Sequence, residues 1–161
     1  MKTFFVQTVG HDNSINRDMD IIMKVLESGN SVELNATGFS MFPTLRHGDR
    51  VVVKPFIEGE KPKTGSLIVY RDNNALVIHR LIAVQNNNGE YVFITRGDSR
   101  QERDKPLAIQ YLLGGAISYK RGKRAHLVKT IVPGDWRYKY NYMLLWLYNM
   151  IKRLYPTGRL T

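Results

Sequence analysis

Residues 36–53 read A-T-G-F-S-M-F-P-T-L-R-H-G-D-R-V-V-V. Gly38 precedes Ser40, Pro43 follows it, and Gly48-Asp49 leads into a run of valines. Glycine reaches backbone angles closed to other residues and proline fixes φ, so this stretch predicts a tight bend opening into a strand. A serine in such a bend is decoration, a turn cap or a nucleophile. The rest of the chain must choose.

From Ser31 to about Leu127 the sequence is β in character. V-E-L-N-A at 32–36 alternates; R-V-V-V-K-P, S-L-I-V-Y-R, L-V-I-H-R-L-I-A-V, Y-V-F-I-T-R and Y-L-L-G-G-A-I-S-Y are β-branched or aromatic runs. H-G-D, E-K-P-K-T-G, R-D-N-N, Q-N-N-N-G and R-G-D-S-R supply the turns between them. Strands this short and closely spaced predict a mainly β fold, an open sheet or a partly closed barrel. Ahead of them Asn13 or Ser14 caps a helix to about Ser28, with Ile15, Met19, Ile22, Met23 and Leu26 at helical spacing and Gly29 as its stop. After P-G-D at 133–135, residues 139–154 predict an amphipathic helix rich in Trp, Tyr and Leu. The expected organisation is an N-terminal segment and helix over 1–30, a β-domain over 31–130, and a basic, aromatic-rich C-terminal helix over 131–161. Packing of that last helix on the sheet is the favoured reading. Its rival is an interfacial helix, with Arg137, Lys139, Lys152 and Arg153 against anionic lipid.

A chain of 161 residues suits one domain with a real core. Hydrophobic residues at 43% and charged residues at 24% rule out wholesale disorder. The absence of cysteine removes disulfides, a thiol nucleophile and thiolate metal ligation. With no His-x-x-His, no carboxylate cluster and no Gly-rich phosphate loop, neither metal nor cofactor is expected. The net charge of +10 favours an anionic neighbour, and Lys120, Arg121, Lys123, Arg124 and Lys129 concentrate part of it. No secretory signal is evident at the N-terminus. The most apolar run, 142–151, is about half the ~18–20 residues needed to span a bilayer. A cytoplasmic protein is expected, peripheral to the inner face of the membrane if the C-terminal helix is interfacial.

A serine hydroxyl is a poor nucleophile without a base in reach. His11 lies in a polar leader, His126 beside a basic run and His47 in the turn R-H-G-D, so these three read as surface residues. His79 differs, standing inside A-L-V-I-H-R-L-I-A-V. Alternation places it on the face of Val77, Leu81 and Ala83, with Arg80 opposite beside Ile78 and Ile82. Alone, a buried histidine is most often a satisfied core residue.

The blocks G-F-S-M-F-P-T-L-R-H-G-D, T-G-S-L-I-V-Y, V-I-H-R-L-I, Y-V-F-I-T-R-G-D-S-R and L-L-G-G-A-I occur in one order between about Val32 and Ile117. That order resembles the superfamily of type I signal peptidases and self-cleaving LexA-like repressors. The resemblance implies a LexA/signal-peptidase-like β-barrel or coiled sheet, with Ser40 as nucleophile and the base at position 79. Bacterial signal peptidases and the repressors carry lysine at that place. Endoplasmic-reticulum-type and related spore-former signal peptidases carry histidine, so V-I-H-R-L-I looks like the Ser-His branch. An imidazole is already near its working pKa but needs a carboxylate on its second nitrogen to fix its tautomer.

The resemblance supplies Asp98, in T-R-G-D, and Asp104 as candidate acids. Asp104 is favoured as the orienting group, and Asp98 as shaping the turn or supporting the site. An Asx turn at Asp98 and a surface ion pair of Asp104 with Arg103 or Lys105 are the plain alternatives. For the oxyanion, the Ser40 N–H is the evident donor. Gly38 stands where many signal peptidases have a hydroxyl residue, which leaves Thr37 as a substitute. Gly38 is expected to permit close backbone approach and Pro43 to fix the chain leaving the bend, while Met41, Phe42, Phe56 and Ile57 are candidates for an apolar edge.

These readings imply a serine endopeptidase that trims a leader or propeptide from a partner protein. Ser40 and His79 would meet across adjoining β-segments. An idle peptide-binding module of the same fold is one alternative. A nucleic-acid-binding basic domain is another and the least supported, because a basic run is common and the ordered motifs are not. The residues before Ser40 match neither a signal-peptidase membrane anchor nor a repressor helix-turn-helix.

Overall fold

The β-branched runs pair as their alternation requires. In the computed structural model, which describes residues 3–6, 12–57, 59–73, 75–136, 140, 143, 144, 146, 147, 150, 151 and 153, with backbone alone for 3–6 and 12–17, nine strands form one sheet. They are β1 (Thr3–Val6), β2 (Ser31–Asn35), β3 (Arg50–Pro55), β4 (Leu67–Asp72), β5 (Ala75–Asn87), β6 (Glu90–Arg96), β7 (Leu107–Ala108), β8 (Leu112–Arg121) and β9 (Arg124–Leu127). The order is β1-β2-β3-β8-β4-β5-β6-β7, with β9 paired to β8. β1 runs parallel to β2 and the remaining pairs are antiparallel. The path ends at β1 and β7, so the sheet is open rather than a closed barrel.

Helix α1 spans Asp12–Glu27 and stops at Gly29 as its apolar spacing predicts, but it begins at Asp12, so the expected caps Asn13 and Ser14 fall inside it. Its Ile22 and Leu26 close a core cluster with Val32, Val51, Val53, Leu67 and Val69. A second cluster gathers Ile68, Tyr70, Leu81 and Phe93. β4 therefore feeds both cores by alternation, which is why L-I-V-Y reads as an unbroken apolar run. Each fully buried Val, Leu or Ile contributes about 1.5–3 kcal/mol of transfer free energy.

The face assignment of β5 holds as far as Leu81. Val77 and Leu81 join the second cluster and Ile78 packs on the first, with Arg80 on the opposite face from His79. Beyond that, a register shift against β6 between Leu81 and Ala83 exchanges the faces, so Val84 rather than Ala83 packs with Leu81. A bulge inserts one unpaired residue and inverts the alternation after it.

After β9 the chain turns back onto the sheet, with the Ile131 N–H donating to the Gly65 carbonyl at 3.0 Å. The helix expected over 139–154 falls in large part outside the described residues. Among the described side chains there Leu144 is half-buried, while Tyr140, Met143, Trp146, Leu147, Met150 and Ile151 are exposed, as is Trp136 just ahead of them. Apolar spacing marks a helix face without specifying a surface to receive it. Among the described residues no helix is long and apolar enough to cross a membrane.

Candidate active site

Ser40 lies in the loop joining β2 to β3, and that loop is tied at its neck. Ala36 N–H donates to the Asp49 carbonyl at 2.7 Å, and Gly48 N–H to the Ala36 carbonyl at 2.9 Å. The Asp49 carboxylate accepts from Arg46 N–H at 2.8 Å and pairs with Arg121 at 2.6 Å. Burial pushes the Asp49 carboxyl up, but those bonds outweigh it and hold it below its ordinary value. Met41 and Leu45 are buried in the first core and pin the far side of the loop. Met41 is thus more a core anchor than an apolar edge. Phe42–Pro43 is a cis peptide. His47 stacks on Phe39 and is exposed, and His126 is also exposed, as expected for both; His11 lies outside the described residues.

His79, on β5, turns its Nε2 to the Ser40 Oγ at 3.1 Å. Its Nδ1 lies 2.5 Å from Oδ2 of Asp104. The same oxygen accepts from Thr95 Oγ1 at 2.7 Å, and Asp104 N–H donates to the Thr95 carbonyl at 2.9 Å, so the end of β6 fixes the acid. Burial pushes the Asp104 carboxyl up; hydrogen bonds from His79 and Thr95 more than offset this and keep it below its ordinary value. A hydroxyl, an imidazole and a carboxylate are in line.

The two strand neighbourhoods are not adjoining. Between β3, which follows the Ser40 loop, and β5 stand β8 and β4. The hydroxyl and imidazole nonetheless come within 3.1 Å, in a sheet with register shifts where β8 meets β3 and β4, irregularities of the kind that bend strands.

Asp98 stands elsewhere. Its carboxylate takes a bidentate pair from Arg80, Nε and Nη2 each at 2.7 Å, and a short hydrogen bond from Thr44. Arg80 is wholly buried, and its Nη1 also donates to the Gly65 carbonyl at 2.6 Å. This pair sits on the opposite face of β5 from His79 and ties that strand to the Ser40 loop through Thr44. Asp98 supports the site rather than touching the imidazole.

The crowding expected at Gly38 falls instead on Gly97. At Gly38 φ is +78° and an added Cβ would meet nothing within 4 Å, so this position needs glycine for its backbone angle alone. A Cβ on Gly97 would lie 2.6 Å from the Ser40 carbonyl oxygen and 3.2 Å from His79 Nε2. Next to it, Ser99 N–H donates to that same carbonyl at 2.9 Å, and Ser99 Oγ to the Phe39 carbonyl at 2.7 Å. Sequence reasoning passed over Gly97, Ser99, Thr95, Thr44 and the work of Arg80. The signal available was the R-G-D-S block, where glycine beside two polar residues marks close backbone approach.

A cleft of about 560 Å³ opens at Ser40 and His79, with Ile22, Leu34, Ala36, Leu76 and Ile78 among its walls. Thr37 and Gly38 lie along its edge. Its size and apolar walls with a few polar groups suit an organic ligand or peptide segment.

A loop serine thus faces a carboxylate-backed imidazole on an open β-sheet. A family model described as Peptidase S24-like matches residues 5–104, and the chain belongs to that family. Comparison with curated proteins finds no match.

Proposed function

We propose that this protein is a serine endopeptidase of the Ser-His branch, cutting a leader or propeptide from a partner protein by acyl transfer. The observation that carries this reading is the continuous contact from Ser40 Oγ to His79 Nε2 at 3.1 Å and from His79 Nδ1 to Asp104 at 2.5 Å. His79 Nε2 takes the Ser40 proton as Oγ attacks the scissile carbonyl carbon. The oxyanion is held by backbone donors, Ser40 N–H first, because Gly38 brings no side-chain hydroxyl. The imidazolium then protonates the leaving amine as the C–N bond breaks. Water, deprotonated by His79, attacks the acyl-enzyme and releases the new carboxylate and Ser40. Asp104 accepts the hydrogen bond from Nδ1–H throughout and stabilises the imidazolium. The apolar cleft supports an extended substrate segment, and the superfamily resemblance points to small residues before the cut.

A fluorophosphonate probe, followed by mass spectrometry of the modified peptide, tests the reading. Adduct on Ser40, lost in His79→Gln, is expected. A wild-type protein that stays unlabelled while it binds peptide would establish the idle-module alternative. Binding to duplex or single strands that weakens steeply with salt would favour the nucleic-acid alternative.

The partner surface belongs to the same proposal. Exposed Trp136, Tyr140, Met143 and Trp146 occur among Arg137, Lys139, Lys152 and Arg153, a composition that favours docking on an anionic lipid surface.

A further inference from the structure

We propose that Ser99 is a positioning residue that aims the oxyanion donor of this site, by fixing the peptide planes on either side of Ser40. Ser99 Oγ donates to the Phe39 carbonyl at 2.7 Å, and Ser99 N–H donates to the Ser40 carbonyl at 2.9 Å. The Phe39 carbonyl takes a second bond from Phe42 N–H at 3.0 Å, which closes a turn over 39–42. Two successive carbonyls around the nucleophile are thus gripped by one residue from the other side of the site.

Peptide geometry carries these bonds to the reacting centre. A peptide unit is planar, and in its trans form the N–H points opposite to the C=O. The Phe39–Ser40 unit is trans. Drawing its carbonyl toward Ser99 therefore directs the Ser40 N–H the other way. Gly38, Ser40 and Met41 line the cleft and Ser99 does not, which puts that N–H on the cleft side. Among the described residues no protein group accepts it.

Ser99 is itself held in place. Arg100 N–H closes a turn on the Gly97 carbonyl at 3.0 Å, and within that turn Arg80 grips the Asp98 carboxylate with Nε and Nη2, each at 2.7 Å. Thr44, in the Ser40 loop, donates to the same carboxylate. The wholly buried Arg80 thus anchors the turn from the reverse face, and Gly97, having no Cβ, lets it come against Ser40. A donor aimed in advance needs no reorganisation when charge develops on the substrate oxygen. Gly38 brings no side-chain donor, so the direction of the Ser40 N–H carries more of that work.

The inference rests on the peptidase reading, and the experiment separates the two. The full chain, Ser99→Ala and Ser99→Thr are each labelled with the fluorophosphonate probe. Ser40 Oγ bonds to phosphorus, its proton passes to His79, the P–F bond breaks and fluoride leaves, while the phosphoryl oxygen occupies the oxyanion position. Removing an oxyanion donor outright costs about 10²–10³ in rate. Ser99→Ala keeps the donor but frees its plane, so the labelling rate is expected to fall by about 5–10-fold. Ser99→Thr keeps the hydroxyl and is expected to restore the rate, with all three proteins melting cooperatively. By NMR, the Ser40 amide proton is expected to move downfield on adduct formation, and less so in Ser99→Ala. Before labelling, the Phe39 carbonyl carbon signal is expected to move upfield in Ser99→Ala, a readout that needs no chemistry at Ser40. A stationary Phe39 signal, a loss that Ser99→Thr does not restore, or loss of cooperative melting in Ser99→Ala overturns the inference. Wild type and Ser99→Ala labelling at one rate refutes the Ser99 role alone, whereas an inert wild type whose Phe39 signal still answers to Ser99→Ala refutes the peptidase reading.

Discussion

Gly97→Ala isolates the effect of backbone crowding on the chemistry. Gly97 is absent from the glycines with positive φ, so alanine carries no left-handed strain there. What it meets is the Ser40 carbonyl oxygen at 2.6 Å. Carbon–oxygen contact is comfortable near about 3.5 Å, so the backbone of the serine loop or of the Gly-Asp turn must give by about 0.9 Å. Either movement lengthens the 2.9 Å bond from Ser99 N–H and pulls Ser40 from its 3.1 Å contact with His79. A displacement near 1 Å at a reacting centre costs about 100-fold in rate, whereas local overpacking costs about 1–3 kcal/mol of stability. Probe labelling of Ser40 and kcat/KM on a peptide substrate should therefore fall by about two orders of magnitude while the protein still melts cooperatively. Gly38→Ala makes the control, since it strains φ without crowding anything. A Gly97→Ala protein that labels at the wild-type rate would refute the claim that this glycine sets the serine's position.

Asp104→Asn should leave the fold in place and reduce kcat by about 10³–10⁴, because an amide holds the wrong imidazole tautomer. The lowered Asp104 pKa means its contribution to stability is present above the ordinary value near about 3.9 and lost as pH falls through the folded value; the melting gap between wild type and Asp104→Asn should close over that acidic range. Asp98→Ala strands the buried Arg80 guanidinium and should cost about 3–5 kcal/mol in denaturant titration, much of it regained in Arg80→Met/Asp98→Leu. Vesicles containing phosphatidylserine should sediment the protein and shift its Trp emission to the blue, with both effects weakened by salt and by Trp136→Ala/Trp146→Ala; equal binding to neutral phosphatidylcholine vesicles would contradict an electrostatic dock.

Much of the site was legible because its signals are local. The bend at Ser40 announces itself by Gly38, Pro43 and Gly48-Asp49. His79 could be placed on the buried face of its strand because alternation needs only neighbours along the chain, and it holds until the bulge after Leu81. Asp98 and Asp104 could both be named as acids, yet local sequence contains nothing to say which would reach the imidazole. That choice followed from Arg80, whose burial on the reverse face claims Asp98 and leaves Asp104 for Nδ1.

By itself the chain determined a mainly β domain, a helix ending at Gly29, a constrained serine and an inward-facing histidine. Tertiary structure alone decided that the serine loop and β5, separated in the sheet by β8 and β4, would be brought within hydrogen-bond distance. It also decided that Gly97 would be the crowded glycine and that the Tyr70 ring would stand against the His79 imidazole. Side-chain direction is a property of a few consecutive peptide units. The distance between two loops depends on the accumulated coil of every strand between them, and no short run of residues carries that sum.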